Sequence, residues 1–328
     1  MEAGKVPNEV LDKIVLSKLN KFREDIILRP GIGEDCAAID FDKFACILST
    51  DPITGASKDI GQLAVHISCN DVASCGVAPL GLMVTILCPV GTSEAELGRV
   101  MEQISETAAK LNVEIIGGHT EVTSAVNKIV ISSTCIGKAH KNRVISSRGA
   151  KPGDSVIITK SAGLEGTAIL AKDLDAKLAG KLSEEQLFKA KSFMDLISVV
   201  REGVIAGEFG VSAMHDITEG GVLGAVWEIA EASGTGVVIE RDKIPVEEET
   251  DLICRALNLD PLKLISSGSM LITCHKGEEL CNVLKDSNIK ATIVGTVTEN
   301  SGERLIMFKD GSTVQIEPPG ADELYKVI

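Results

Sequence analysis

Apolar and polar positions follow two rhythms along this chain, and the changes of rhythm mark out its elements. Residues 93–111 open Ser93-Glu94-Ala95-Glu96 and continue with Leu97, Val100, Met101, Ile104 and Ala108, the pattern of a capped amphipathic helix. Residues 7–21 carry Val10, Leu11, Ile14, Val15 and Leu19 at helical spacing after the start signal Pro7-Asn8. Short continuous apolar runs read as buried strands: 44–49, 80–88, 113–116, 128–137 and 155–160. The first stops at Thr50-Asp51-Pro52, which puts Asp51 at the C-terminal edge of a strand. The third ends in Gly117-Gly118-His119-Thr120-Glu121, read as a glycine turn. Further helices are expected over 58–76, 164–173, 183–192, 196–209, 219–233 and 247–257, and strands over 211–215 and 236–240. The polar, turn-rich segment from Ser146 to Asp154 is the expected boundary, giving domains 1–148 and 149–328. Strands and helices alternate on both sides of it, so the fold class is α/β (α+β) in two domains.

Composition narrows the ligand more than the fold. Aromatic residues are 3% of the 328, which leaves an aliphatic core and little material for stacking nucleic-acid bases. Lys and Arg number 33 against 47 Asp and Glu, a net charge of −14 that repels polyanions and argues against a nucleic-acid partner. An anionic ligand would need a divalent metal to hold it. The most apolar stretch, Gly76 to Gly91, is broken by Pro79 and Pro89 and is short of the roughly 20 residues that cross a bilayer. Met1-Glu2-Ala3-Gly4-Lys5 has no basic-then-apolar signal pattern, so a cytoplasmic protein without a membrane partner is expected. The nine Cys include no C-x-x-C pair and read as reduced, buried thiols.

Four carboxylates fall where a strand ends or a glycine turn opens: Asp35, Asp51, Asp71 and Asp216. Each alone is an ordinary cap or turn residue. Together they are the hard oxygen ligands that Mg²⁺ bridging a polyphosphate requires. Gly31 and Gly33, and Gly117 and Gly118, allow close backbone approach to phosphate oxygens. Neither G-x-x-x-x-G-K-[ST] nor a complete Rossmann fingerprint is present, so an ATP site here is of another type. His119 reads equally as a general base or as a hydrogen-bonded loop histidine, and Lys160 as a phosphate contact or a solvated lysine.

Read in order, Gly31-Ile32-Gly33-Glu34-Asp35-Cys36-Ala37-Ala38, Ser49-Thr50-Asp51, Asn70-Asp71-Val72-Ala73-Ser74-Cys75-Gly76-Val77-Ala78-Pro79, Gly117-Gly118-His119-Thr120-Glu121 and His215-Asp216-Ile217-Thr218-Glu219-Gly220-Gly221 resemble the successive motifs of the aminoimidazole ribonucleotide (AIR) synthase superfamily. The resemblance implies two PurM-like domains. The N-terminal one carries a sheet that pairs into a homodimer, the C-terminal one is α/β, and ATP and Mg²⁺ occupy the cleft between them. It assigns Asp35, Asp51, Asp71 and Asp216 to metal and phosphate, and Asn70, Gly117, Gly118 and Thr120 to the nucleotide. Glu34 stands where an Asp is usual, and His119 where Asp or Glu is usual, with Glu121 near enough to substitute; His119 and Glu121 are therefore the catalytic candidates. The stretches Gly163 to Leu170 and Ser267 to Leu271 resemble the hydrogenase-maturation (HypE-like) branch, although the chain ends Tyr325-Lys326-Val327-Ile328 without that branch's terminal Cys. The implied activity is ATP-dependent phosphorylation or activation of an oxygen on an unidentified small-molecule or protein acceptor. A nucleotide-binding assembly protein without turnover and a thiamine-monophosphate-kinase-like small-molecule kinase are the alternatives.

Overall fold

The computed structural model describes residues 5–19, 21–54 and 58–327; Met1 to Gly4, Asn20 within the first expected helix, and Ile328 lie outside them. Among the described residues, thirteen strands form two sheets. The first comprises β1 (Ile26–Leu28), β2 (Ala37–Phe41), β3 (Phe44–Ile53), β4 (Pro79–Pro89), β5 (Glu114–Thr123) and β6 (Val130–His140), in the order β1-β2-β3-β6-β4-β5. The second comprises β7 (Ser155–Thr159), β8 (Ala213–Asp216), β9 (Gly236–Glu240), β10 (Met270–Cys274), β11 (Ala291–Thr298), β12 (Arg304–Met307) and β13 (Thr313–Gln315), in the order β13-β12-β9-β11-β7-β10-β8. The helices are α1 (Asn8–Val10), α2 (Ile60–Ser74), α3 (Glu94–Lys110), α4 (Leu164–Asp173), α5 (Asp175–Leu178), α6 (Glu184–Ser192), α7 (Val200–Phe209), α8 (Gly221–Ser233), α9 (Glu248–Leu257) and α10 (Gly277–Asp286). Among the described residues, no helix is long and apolar enough to cross a membrane.

One helix ties the halves together. Along α2 nearly every position is buried, including Leu63, Val65, Cys69 and Val72, because the first sheet covers one side and the second half of the chain the other. Gly203 on α7 would place a Cβ 2.2 Å from the Ala73 carbonyl oxygen, so only glycine lets α7 seat against α2. The Asn70 amide completes the clamp, donating to the Ile197 carbonyl and accepting from the Val199 N–H, both at 2.9 Å. α3 starts at the expected cap, with the Ser93 hydroxyl accepting from the Glu96 N–H.

Three expectations change. Residues 8–18 form a short α-helix, a π turn and a 3₁₀ turn in succession, since among the described residues of this stretch only Asn8 is buried and little packing enforces one helix. Gly117-Gly118-His119-Thr120-Glu121 is not a turn but the middle of β5, paired in parallel with β4 from Gly117↔Met83 to Glu121↔Leu87. Gly118 has φ +153°, and a Cβ there would sit 1.9 Å from the Val84 carbonyl oxygen, so close strand approach requires this glycine. Finally, the strand-forming runs 44–49, 80–88 and 128–137 are expected to leave hydrophobic edges that a second copy would cover; among the described residues they are inner strands with β1 and β5 at the edges, so that reason for a dimer falls away.

Candidate functional site

A cleft of about 830 Å³ lies between the two halves. Asp35 enters it from the loop after Gly33, Asp51 from the end of β3, Asp71 from α2 and Asp216 from the end of β8, so four separate segments deliver the four aspartates to one wall. β3 runs three residues past Thr50, and Asp51 is paired opposite buried Ser133, which turns it inward. Gly33 takes φ +69°, with a Cβ position 3.0 Å from Glu228, and so allows the loop to turn Asp35 toward the cleft. At Gly31 a Cβ would lie 2.1 Å from the Arg148 guanidinium, which here reaches Glu34 at 2.9 Å. Burial still pushes Glu34 up to about 7.

The aspartates strain against one another. Asp216 is 1% exposed and neither of its carboxylate oxygens has a hydrogen-bond partner. Burial, then the Asp35 charge, raises it to about 8. Asp71 is pushed well above the usual carboxylate range by burial, then by Asp216 and Asp51, while its Oδ2 accepts from Ser49 Oγ at 2.5 Å. A buried, unsatisfied carboxylate costs on the order of several kcal/mol, which a bound cation removes. Hard oxygens from several segments with two free lone-pair positions fit Mg²⁺.

Asp35, His215 and Asp216 offer ligand atoms within 4.8 Å of one another, yet His215 is already committed. Its Nδ1 stands 2.7 Å from Asp35 and its Nε2 3.0 Å from Glu228. Burial alone would lower its pKa; the charge and hydrogen bond of Asp35, then Glu228, overcome that and raise it well above the ordinary value. A histidine set between two carboxylates is favoured in its charged form, so it orients Asp35 as an ion pair and leaves the oxygens as the metal-ligand set. Burial would raise Glu228, but the His215 hydrogen bond and the Lys5 charge prevail and hold it near about 2.

The other expected residues lie elsewhere. Asn70 is spent on the interdomain clamp. Lys160 donates to the Leu196 and Ser198 carbonyls and pairs with Glu202 at 2.8 Å, and does not line the cleft. Gly117, Gly118 and Thr120 belong to β5, as do His119 and Glu121, which face each other at 3.5 Å with side chains 66% and 51% exposed, outside the cleft lining. Conversely, Lys128, Glu165, Ser267 and Tyr325 line the cleft although the sequence does not name them as site residues, Glu165 and Ser267 entering only within the two stretches that resemble the hydrogenase-maturation branch. Lys128 Nζ donates to the Thr54 carbonyl at 2.5 Å and, with Lys5, brings positive charge to a cleft rich in carboxylates. No local pattern announces these four, because chain segments far apart in sequence bring them to one cavity.

The described fold has counterparts. Residues 33–139 match the AIR synthase related protein N-terminal domain and residues 151–308 its C-terminal domain. A hydrogenase expression/formation protein of Methanocaldococcus jannaschii is 31% identical over 312 residues, covering 90% of this chain and 89% of that protein. A thiamine-monophosphate kinase of Pyrococcus horikoshii is 29% identical over 304 residues, covering 87% and 91%. The crystal structure of the hydrogenase maturation protein HypE in complex with ATP superposes with a TM-score of 0.74 at 23% identity, covering 98% of this chain and 97% of that one.

Proposed function

Since the chain belongs to the family of AIR synthase related proteins, with two PurM-like α/β domains, we propose that it binds ATP with Mg²⁺ in the interdomain cleft and transfers the γ-phosphoryl group to an oxygen of an acceptor. The observation that carries this reading is the convergence of Asp35, Asp51, Asp71 and Asp216 on one cleft wall, with Asp216 buried and unpartnered. Bound there, Mg²⁺ would neutralise phosphate charge and hold the polyphosphate in a protein of net charge −14. Asp35 is held in place by His215 and Ser74, whose Oγ donates to its Oδ2 at 2.8 Å, so its position is fixed before ligand arrives. Lys128 in the cleft lining supplies a positive charge toward the phosphates. Catalysis would then be mostly positioning and charge neutralisation.

The homodimer belongs to the same proposal. α2 covers only one face of the first sheet. Leu80, Met83, Ile116 and Val122 on β4 and β5 are 53%, 48%, 53% and 60% exposed, an apolar patch suited to a second copy. His119 and Glu121 lie on that same strand, so any part they take in catalysis runs through the dimer. A catalytically silent assembly protein is the second reading, favoured by their distance from the cleft of their own chain. Measuring ATP hydrolysis with Mg²⁺ across a panel of alcohol, phosphate-ester and amide acceptors separates the two: acceptor-stimulated turnover supports the enzyme, and nucleotide binding with no turnover under any acceptor supports the assembly role. All nine cysteines are free, as a reducing cytoplasm requires.

A further inference from the structure

Another part of the cleft lining has a different chemistry from the aspartate wall. Glu165, in the first turn of α4, is 5% exposed, and its Oε2 has no hydrogen-bond partner. Ser267 beside it is wholly buried with an unpartnered hydroxyl. Both line the cavity together with Leu63, Ile169, Ile265 and Leu324, contributed by α2, α4, the loop before β10 and the C-terminal 3₁₀ turn. The neighbouring Glu219 is already satisfied, accepting from the Tyr325 hydroxyl at 2.9 Å and from the Lys5 N–H at 2.9 Å. Glu165 has only the Ser267 hydroxyl and N–H beside it to favour its charge, its Oε2 stays unpartnered, and the charges nearest to it, Asp322 and Glu219, are of its own sign.

A bland explanation exists: an acidic residue in the first turn of a helix is favoured by the helix dipole. That effect is worth about 0.3–1 kcal/mol, whereas leaving a buried acceptor unsatisfied costs about 1–3 kcal/mol and more for a charged one. The dipole alone does not account for a carboxylate placed here without a partner. Burial pushes Glu165 up to about 7 against the pull of the Ser267 hydroxyl and N–H, so the pocket holds an acid waiting for a donor.

We propose that Glu165 and Ser267 form the recognition end of the acceptor pocket, and that the acceptor is a small molecule presenting a nitrogenous cation with N–H donors on an apolar or aromatic body. Its cationic N–H group bonds Glu165 Oε2, Ser267 supplies a second polar contact, and the aliphatic walls cover the body. An acceptor anchored in this way presents its opposite end to the aspartate wall. Calling the molecule an acceptor rests on the phosphoryl-transfer reading above; the cation preference does not.

Matched charged fragments test it. Benzamidinium and phenethylammonium are titrated by calorimetry into the full chain, with benzoate and phenylacetate as their anionic counterparts, and Mg-ADP is titrated separately. The expected result is binding of the cations and not the anions, at least tenfold weaker binding of the cations to Glu165→Gln and weaker binding to Ser267→Ala. Glu165→Gln keeps its Mg-ADP affinity and melts at a higher temperature at pH 8, because a buried unpaired charge is gone. Equal binding of the anions, no binding of either cation, an unchanged cation affinity in Glu165→Gln, or displacement of benzamidinium by adenosine would overturn the proposal. Cation binding with no Mg-ADP binding would sink the phosphoryl-transfer reading while leaving the cation site standing.

Discussion

Two stretches of this chain look equally motif-like in sequence and meet opposite fates in the fold. Asn70-Asp71 lies on a helix buried between two halves, and Gly117-Gly118-His119-Thr120-Glu121 lies on the exposed edge strand of a sheet. Burial makes the difference chemical. Asp71 and Asp216 are forced into one another's field and pushed above their ordinary range, whereas His119 and Glu121 form an exposed pair open to solvent. Glycines and acids are necessary for a phosphate site, but a covering layer is what turns them into one. For β5 that layer can come only from outside the described chain.

The comparison breaks most sharply at the uncovered face. Met83→Glu places a charge on the apolar patch beside β5, and self-association should weaken by about 3 kcal/mol, on the order of a hundredfold, as read by sedimentation. A wild-type chain that is monomeric at micromolar concentration would remove the layer that β5 is said to need.

The buried wall is tested by pH. Glu34 and Glu165 are raised from 4.5 to about 7 and Asp216 from 3.8 to about 8. Groups raised on folding bind protons more tightly in the folded state, so their stabilisation is complete below about pH 4 and is lost as pH rises through 7 to 8. His215, also raised, acts in the same direction above its ordinary value. Glu228, held near about 2, acts oppositely, and its contribution is lost only as pH falls from 4.5 toward 2. The metal-free protein should therefore lose stability from pH 5 to 8, with Glu165 alone contributing on the order of 3 kcal/mol. Thermal melts should show the slope, Mg²⁺ should flatten the aspartate part of it, and Glu165→Gln should remove its own share with or without metal. A flat profile would mean that the wall is not strained.

A smaller effect is expected at the cysteines. Seven are buried and two half-buried, and none lines the cleft. Incubation with carbamoyl phosphate, ATP and a carbamoyltransferase should leave every cysteine from Cys36 to Cys281 at its native mass, since burial raises thiols such as Cys254, to about 12, and so suppresses the thiolate. A carbamoyl adduct mapped to any of them would show a cysteine with reach and reactivity that the fold does not give it.

Local order was readable in the sequence, and long-range order was not. The helix at 164–173 and the strand at 236–240 end where their patterns end, because capping and apolar runs are decided within a few residues. Asp35 and Asp216 were visible because they adjoin strand ends, and Asp51 because Thr50-Asp51-Pro52 breaks an apolar run, whereas Asp71 sits within α2. The glycine pair misleads for a physical reason: Gly118 is glycine to let β4 approach, a demand set by a neighbouring strand rather than by a turn. Lys160 misleads because the Leu196 and Ser198 carbonyls and the Glu202 carboxylate, all remote in sequence, capture its ammonium. Glu165 and Ser267 fall in stretches that carry a family resemblance, but nothing in the sequence marks them as a pair until α4 and the loop before β10 close on the same cavity.

Binding of Mg-ATP to the wild type and to Asp216→Asn, by calorimetry with and without EDTA, decides whether the four aspartates are a metal-phosphate site. Affinity should fall at least tenfold, about 1.4 kcal/mol, in the variant and equally in the wild type stripped of metal, while His119→Ala changes it less than about twofold. Full affinity in EDTA, or an Asp216→Asn variant that binds as tightly as the wild type, would contradict the account.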